Sequence, residues 1–149
     1  MSFVFLQARL SLWDIVEKFR NRGGTILLTT HYMEEAARLC DRVAIMDHGK
    51  IIALGSPAEL IESLGADQVI EFSVTNPLAD DELTSLPAVK HLHKRGDVYA
   101  LTVSEIGVAL PALLAEIKRQ QSEVVTLTTH QATLEDVFVS LTGRMLRDA

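Results

Sequence analysis

The 149-residue chain has room for one domain or two small ones. Apolar residues make up 48% of it and charged residues 23%, a balance typical of a globular protein. The net charge is −6, so the chain has no basic excess and nucleic-acid binding is not expected. A single cysteine, Cys40, excludes an internal disulfide and favours an intracellular protein. No apolar run reaches the roughly 18 residues of a membrane span, so we expect no direct membrane insertion.

The first part of the chain predicts a helix, a strand and a second helix. Apolar residues recur at helical spacing over residues 6–22, and Gly23-Gly24 end that pattern. Residues 25–30 form an uninterrupted apolar and β-branched run, which predicts a strand covered on both faces, as in a parallel sheet. A helix is expected over residues 32–40. Ligands of open α/β sheets bind beyond the carboxyl ends of the strands, so His31 is the foremost candidate for a functional residue.

The next stretch predicts a hairpin followed by a capped helix. Strands at residues 42–46 and 51–54 flank the turn residues His48-Gly49, where glycine supplies a positive φ. Ser56-Pro57-Ala58-Glu59 then combines a capping serine, a proline at the first helical position and the glutamate of a capping box. We expect this helix to end at Leu64-Gly65, which is a natural domain boundary.

After residue 65 the pattern changes to that of a small α+β domain. It predicts a strand at 69–74, a helix at 79–86, a hairpin of strands 89–94 and 98–103, a helix around 110–117, a strand at 124–129 and a last helix at 134–141. Thr133 is expected to cap the last helix and Gly143 to end it. The order βαββαβ followed by a helix predicts a ferredoxin-like module.

The stretches TILLTTHYMEEA (residues 25–36) and DRVAIMDHGKIIALGSPAEL (residues 41–60) carry a family resemblance. They closely resemble the C-terminal end of the nucleotide-binding domain of ABC transporters, from the switch histidine onward. The best match is the bacterial drug-resistance and export type of ATP-binding subunit, which has an extra C-terminal domain. The resemblance implies that residues 1–65 are the C-terminal part of a P-loop ABC ATPase domain. Residues 66–149 would then be an accessory or regulatory domain.

The resemblance also implies a function, a location and partners. The full-length family members couple ATP hydrolysis, with Mg²⁺, to export. They are cytoplasmic and are held at the inner membrane by a membrane-spanning transporter subunit. In this family the histidine that matches His31 contacts the γ-phosphate of ATP and helps to position the attacking water. The chemistry agrees, because an imidazole at a strand end can donate a hydrogen bond to a phosphate oxygen.

Three acidic residues near His31 are weighed against simpler explanations. Asp41 resembles the family's aspartate at the start of the next strand, but it can equally be a local loop residue. Glu34 and Glu35 have no catalytic counterpart in the family. Their place in the first turn of a helix favours an interaction with the helix dipole. For His31 itself the alternative is a histidine that merely caps that helix.

The other histidines and the cysteine are expected to be structural. Leu127-Thr128-Thr129-His130 repeats the four letters that end at His31, but the following residues differ, so a strand end is favoured for His130. His91 and His93 share one face of a predicted strand, yet no third ligand has the spacing of a metal site. Cys40 is expected to be a small buried apolar residue. No metal or cofactor site is predicted for this chain alone.

Several motifs of the family do not occur in the sequence. It contains no Gly-x-x-x-x-Gly-Lys-Ser/Thr phosphate loop, and the glutamine loop, the signature motif, the magnesium-binding aspartate and the catalytic glutamate are also missing. The match stops at Gln7-Ala8-Arg9, where residues 3–6 replace a Gly-Leu-Asp-Pro-like loop, as if upstream coding sequence were lost or the piece were bounded there. We therefore predict that the chain alone does not hydrolyse ATP.

Three functions stay open at this point. The chain is the C-terminal part of an exporter ATPase subunit that is inactive alone, or a regulatory and assembly module that binds a transporter subunit, or a ferredoxin-like domain that binds a small ligand. Self-association as a two-fold homodimer is also predicted. The apolar strand at residues 25–30 and the apolar stripe Leu6-Leu10-Trp13-Val16-Phe19 of the first helix would otherwise lack cover. The alternative is a rival dimer through the C-terminal module.

Overall fold

The computed structural model describes residues 3–143, with side chains from Leu6 onward. Within these residues the chain forms six helices and six strands. The helices are α1 (Phe3–Asn21), α2 (Met33–Leu39), α3 (Pro57–Glu62), α4 (Asp80–Thr84), α5 (Ile106–Arg119) and α6 (Leu134–Thr142). The strands are β1 (Val43–Asp47), β2 (Lys50–Gly55), β3 (Gln68–Val74), β4 (Val89–Arg95), β5 (Val98–Val103) and β6 (Val124–Gln131). None of the helices in this described part is both long and apolar enough to cross a membrane.

Helix α1 packs one face against the rest of the chain and leaves the other face open. Trp13 is buried, whereas Leu12, Ile15 and Phe19 are at least half exposed. The helix ends at Asn21, and Gly23 follows with a φ of +87°, which favours glycine, and with its N–H donating to the Arg20 carbonyl at 2.9 Å. Within the predicted apolar stripe Trp13 is therefore covered, whereas Leu6, Leu10 and Phe19 stay 46%, 46% and 52% exposed. Leu12 and Ile15 are exposed apolar side chains outside that stripe.

The strand predicted at residues 25–30 is wrong. This segment has no regular secondary structure and pairs with no strand of the described chain, and Leu27 is 97% exposed. A strand inside a parallel sheet has neighbours on both edges, which satisfy its backbone groups. The only two sheets formed by residues 3–143 are built from other segments. The segment is apolar, but none of the described residues supplies a neighbouring strand with which it could pair.

The predicted hairpin and capped helix are confirmed. Strands β1 and β2 are antiparallel, with Asp47 opposite Lys50, and both turn residues have positive φ, +48° for His48 and +74° for Gly49. Ser56 accepts a hydrogen bond from the Glu59 backbone N–H at 3.1 Å, and the Glu59 carboxylate accepts from the Ser56 N–H at 3.0 Å. Helix α3 thus begins with the capping box that its sequence specifies.

The larger sheet has four antiparallel strands in the order β4-β5-β3-β6. One of its faces is covered by α4 and α5, and the rings of Phe72 and Tyr99 stack there at 5.1 Å. The residues of this core are Ile70, Phe72, Leu78, Leu83, Tyr99, Leu101, Val103, Ala109, Leu113 and Ile117. The alternation along β3 predicted that Ile70 and Phe72 share this buried face, but the one-sided strand is a misprediction, because Val69 on the opposite face is also 0% exposed.

A second core joins the two sides of the boundary predicted at Gly65. It contains Ala36, Val43, Ile45, Leu60 and Leu64 from the first part, and Val69, Ala132, Leu134, Val137 and Phe138 from the second. The two sheets do not merge, but helices α2 and α3 pack against α6. The division into domains of residues 1–65 and 66–149 stays a prediction. The two parts share this apolar core across the predicted boundary.

Candidate functional site

His31 is exposed and lies between the segment at residues 25–30 and helix α2. Its ring lies 4.2 Å from the ring of Tyr32, centroid to centroid, at an angle of 34°. The imidazole is therefore accessible to a ligand while one of its faces is next to an aromatic ring. We call residues 30–32 the histidine segment.

The histidine segment is held by a buried carboxylate. Thr30 Oγ1 donates to Glu35 Oε2 at 2.6 Å, and the backbone N–H of Tyr32 donates to Thr30 Oγ1 at 3.0 Å. The other carboxylate oxygen, Glu35 Oε1, accepts a 2.6 Å hydrogen bond from the indole Nε1–H of Trp13. Glu35 is only 8% exposed. The Glu35 side chain thus joins helix α2, on which it lies, to Trp13 of α1 and to Thr30, the residue before His31.

The surroundings of Glu35 favour its ionised form. Burial alone would raise the pKa of this carboxyl, because a charge is costly away from water. The hydrogen bonds from Thr30 and Trp13, together with the positive charge of Arg9 and of a protonated His31, outweigh burial and hold the pKa of Glu35 below its ordinary value. A charged acceptor makes both hydrogen bonds stronger than neutral ones.

Arginine side chains reinforce the same contact from α1 and α2. The guanidinium carbon of Arg9 lies 4.4 Å from the centre of the Tyr32 ring and 5.3 Å from that of Trp13. Arg38 lies 4.9 Å from the Trp13 ring on the side of α2. Cations over aromatic faces contribute roughly 0.5–1 kcal/mol each at exposed sites. Trp13 is thereby fixed between two helices.

The far end of α2 is also tied to α1. Arg20 donates to the Leu39 carbonyl at 2.8 Å and lies 3.6 Å from Asp41, whose side chain is largely exposed. Asp41 therefore has a local ion-pair partner, which fits a loop residue. That Asp41 corresponds to the family's aspartate at the start of the next strand stays a prediction. Glu34 is exposed, in line with a helix-dipole role.

Sequence reasoning missed the importance of Glu35. Its position was assigned to the helix dipole together with Glu34, although the two side chains lie in different environments. A signal was present: Glu35 is followed by Ala36 and, one turn later, by Leu39, both of which are buried. A carboxylate on the apolar face of a short helix needs hydrogen-bond donors, and that requirement points to a specific contact.

The second copy of the Leu-Thr-Thr-His letters is part of the larger sheet. His130 lies in β6, where its Nδ1 is 2.8 Å from the Gln131 carbonyl and its Nε2 is 3.3 Å from Glu71 Oε1. These contacts are structural, as expected for a strand histidine. His91 and His93 line a groove of about 890 Å³ between the sheet and α6. Among the described residues no group of three His, Cys, Asp or Glu side chains could hold a metal ion.

Cys40 is half-buried and packs against the second core. Burial raises the pKa of its thiol, and the nearby carboxylates of Asp41 and Glu35 act in the same direction. A thiol that resists ionisation is a weak nucleophile. Its role is therefore close to that of the small apolar residue predicted from the sequence.

Comparison with known proteins identifies the class to which this arrangement belongs. Over residues 55–142 the sequence matches the family described as "ATP-binding protein DrrA1-3-like, C-terminal domain". Since the match covers more than half of the chain, the chain belongs to this family of ABC-type ATP-binding proteins. The resemblance inferred from the sequence is confirmed.

Individual relatives extend the match to the histidine segment. The chain is 40% identical to the Nod factor export ATP-binding protein I of Cupriavidus metallidurans, over 95% of this chain and 45% of that protein. It is 35% identical to the daunorubicin/doxorubicin resistance ATP-binding protein DrrA of Streptomyces peucetius, over 95% and 44%. It is 31% identical to the linearmycin resistance ATP-binding protein LnrL of Bacillus subtilis, over 95% and 47%. The chain thus spans less than half the length of these relatives.

Proposed function

We propose that this chain acts as the C-terminal part of the ATP-binding subunit of an ABC-type exporter. The match to ATP-binding proteins of export and resistance systems over 95% of the chain carries the proposal, because it includes His31 as well as the C-terminal domain. As part of such a subunit the chain is cytoplasmic and peripheral to the inner membrane, where a membrane-spanning transporter subunit holds it.

In this proposal His31 donates a hydrogen bond to the γ-phosphate of ATP. Its exposed ring and the short hydrogen bonds that hold Thr30 support the assignment. ATP and Mg²⁺ are bound by motifs that this sequence does not contain, so the chain alone hydrolyses no ATP and binds no cofactor. Phosphoryl transfer requires charge neutralisation and positioning that one imidazole does not supply.

ATP turnover tests this proposal, and the chain offers its own control. We expect no turnover from the chain alone. In a longer protein that joins this chain to the missing motifs, His31→Ala should lower turnover on the order of 100-fold, comparable to the loss of one transition-state hydrogen-bond donor. His130→Ala removes the histidine of the repeated four letters and should leave turnover unchanged. Turnover by the chain alone that is lost with His31→Ala would contradict the proposal.

We further propose that the C-terminal part is a ferredoxin-like domain. In sequence order its strands are β3, β4, β5 and β6, and the sheet order β4-β5-β3-β6 supports this topology. Helices α4 and α5 connect its strands in a βαββαβ arrangement, and α6 follows as the additional helix. Expression of residues 66–149 alone tests the boundary. A cooperative unfolding transition would support it, and an unfolded fragment would show that the second core is indispensable.

The second candidate function is a regulatory or assembly module. The observation that favours it is the set of apolar side chains on α1 and in the segment at residues 25–30 that are open to water. Such a module binds a transporter subunit or a second copy of the chain. Co-purification with the membrane-spanning subunit of an exporter in the absence of ATP would favour this role.

A further inference from the structure

The carboxylate of Glu35 uses its two oxygens for two different parts of the chain. We infer that Glu35 is the positioning residue of His31 and that it couples the histidine segment to helix α1 through Trp13. The inference rests on the proposed function of His31, but the contacts that carry it belong to this chain alone.

The first step concerns the backbone on each side of His31. The Thr30 hydroxyl donates to Glu35 and accepts from the Tyr32 N–H, so the residues before and after His31 share one hydrogen-bond centre. A hydroxyl that donates its proton in one direction has its lone pairs oriented toward the other partner. The peptide groups that flank His31 are therefore fixed relative to the carboxylate.

The second step concerns helix α1. The indole of Trp13 donates to the other oxygen of the same carboxylate, and its ring is covered by Arg9 and Arg38. Because Glu35 is 8% exposed, water cannot readily replace either donor. A displacement of α1 moves Trp13, then Glu35, and then Thr30. The position of His31 is thus linked to a helix whose outer face is open for contact.

The third step excludes a simple helix-dipole role. Glu34 occupies the same helical turn and experiences the same dipole, yet its side chain is exposed. Glu35 instead reaches donors 22 residues earlier, at Trp13, and five residues earlier, at Thr30. A dipole interaction would make the two glutamates equivalent, whereas a positioning role makes them different.

Nuclear magnetic resonance of the full chain tests the inference without ATP. Trp13 is the only tryptophan in the sequence, so its indole N–H gives a single assignable signal. Glu35→Gln keeps the shape of the side chain but offers one acceptor in place of two. We expect the indole proton to shift upfield, the Tyr32 amide to exchange about tenfold faster, and the His31 ring signals to move. Glu34→Gln is the matched control and should change none of these signals.

A second pair of variants keeps the test decisive if Glu35→Gln fails to fold. Thr30→Val removes the hydroxyl while it keeps the shape of the side chain. It should shift the signals of His31, and also those of Trp13, because Trp13 shares the Glu35 carboxylate with Thr30. Thr29→Val, at an exposed neighbouring position, should leave both in place. Unchanged His31 signals in folded Glu35→Gln or Thr30→Val would overturn the inference. Because no readout depends on nucleotide, failure here is distinguishable from failure of the proposed ATPase role.

Discussion

The imidazole Nε2 of His130 lies 3.3 Å from the carboxylate Oε1 of Glu71, between the adjacent strands β6 and β3. Its Nδ1 is occupied by the carbonyl of Gln131 at 2.8 Å. Both ring nitrogens are therefore engaged within the sheet. His31, which follows the same three letters, instead ends an unpaired segment and keeps an exposed ring. Identical local sequence leads to different environments because the neighbouring strands differ.

The His130 contacts predict a pH-dependent contribution to stability. Burial would lower the pKa of His130, but the hydrogen bonds to Gln131 and Glu71 and the charges of Asp136 and Glu71 raise it above 6.5 overall. A raised pKa in the folded state means that protonated His130 stabilises the fold fully below about pH 6.5. That contribution is lost as the pH rises through the folded pKa.

Urea unfolding at about pH 5.5 and about pH 8 measures this effect. His130→Gln should lower the free energy of unfolding more at the lower pH, by under about 1 kcal/mol after solvent screening. Thr128→Val, at an exposed position of β6 that carries no titratable group, serves as the control and should show no such difference. An equal loss at both pH values for His130→Gln would show that its charge is irrelevant.

Glu35 predicts the opposite pH dependence. Its pKa is lowered from 4.5, so the ionised carboxylate stabilises the fold fully above that pH, and the contribution is lost as the pH falls through the folded pKa. Glu35→Gln should cost about 1–3 kcal/mol at neutral pH, the range for a hydrogen-bonded charged group, and less at about pH 3. Trp13 fluorescence during urea unfolding is the measurement. A cost that does not change with pH would contradict the assignment of a charged Glu35.

Two leucines at opposite extremes of exposure test the location of the core. Leu101, on β5, is 0% exposed and packs in the core between the sheet and the helices that cover it. Leu27 is 97% exposed. Leu101→Ala should cost about 2–5 kcal/mol, because it removes buried methyl groups and leaves a cavity. Leu27→Ala should change the free energy of unfolding of the monomer by less than about 0.5 kcal/mol. Comparable losses for the two variants would mean that Leu27 is covered.

The capping box of α3 predicts a local stability effect. Ser56→Ala removes the acceptor of the Glu59 N–H and should cost about 1 kcal/mol, as is typical for the loss of a capping serine. Glu62→Ala, an exposed position at the other end of the same helix, is the control and should have little effect. Thermal unfolding of both variants gives the comparison. A larger cost for Glu62→Ala would show that the cap does not limit this helix.

Local signals in the sequence were sufficient for most of the fold. The turn at His48-Gly49, the cap at Ser56 and the end of α6 at Gly143, with φ of +68°, each follow from the residues that adopt them. These features depend on a few neighbouring residues, and they were therefore predictable. The alternation along β3 predicted in the same way that Ile70 and Phe72 share a buried face.

Features that depend on distant residues were not predictable. The segment at residues 25–30 has strand composition, but strand formation depends on neighbours that are not among residues 3–143. The role of Glu35 depends on Trp13, 22 residues away, which no local spacing rule relates to His31. At the candidate site the sequence predicted His31 as the functional residue, which stays a prediction, and it gave no sign of the hydrogen bonds that join Glu35 to Trp13 and Thr30.

The open surface around α1 and residues 25–30 is the basis of the last prediction. Leu12, Ile15 and Phe19 follow one another at helical spacing on α1 and are 50%, 63% and 52% exposed. Leu27 adds a side chain that is almost fully exposed. The backbone of its segment is not part of either sheet, so it can pair with another chain. Exposed apolar side chains and backbone groups outside both sheets thus occur in two consecutive segments of the chain.

We expect this surface to make the chain a two-fold homodimer at micromolar concentration, measured by light scattering after size exclusion. Burying four such side chains contributes on the order of 5–10 kcal/mol before the entropy cost of association, which is enough to offset much of that cost.

Ile15→Asp and Leu27→Asp place charges in the contact and should each give a monomer. Trp13 is unsuitable for this test, because it is buried and its loss would disturb Glu35. Val125→Asp, at an exposed position on β6, tests the rival dimer through the C-terminal part. Dissociation by Val125→Asp alone would move the contact there, and a monomeric wild-type chain would refute self-association.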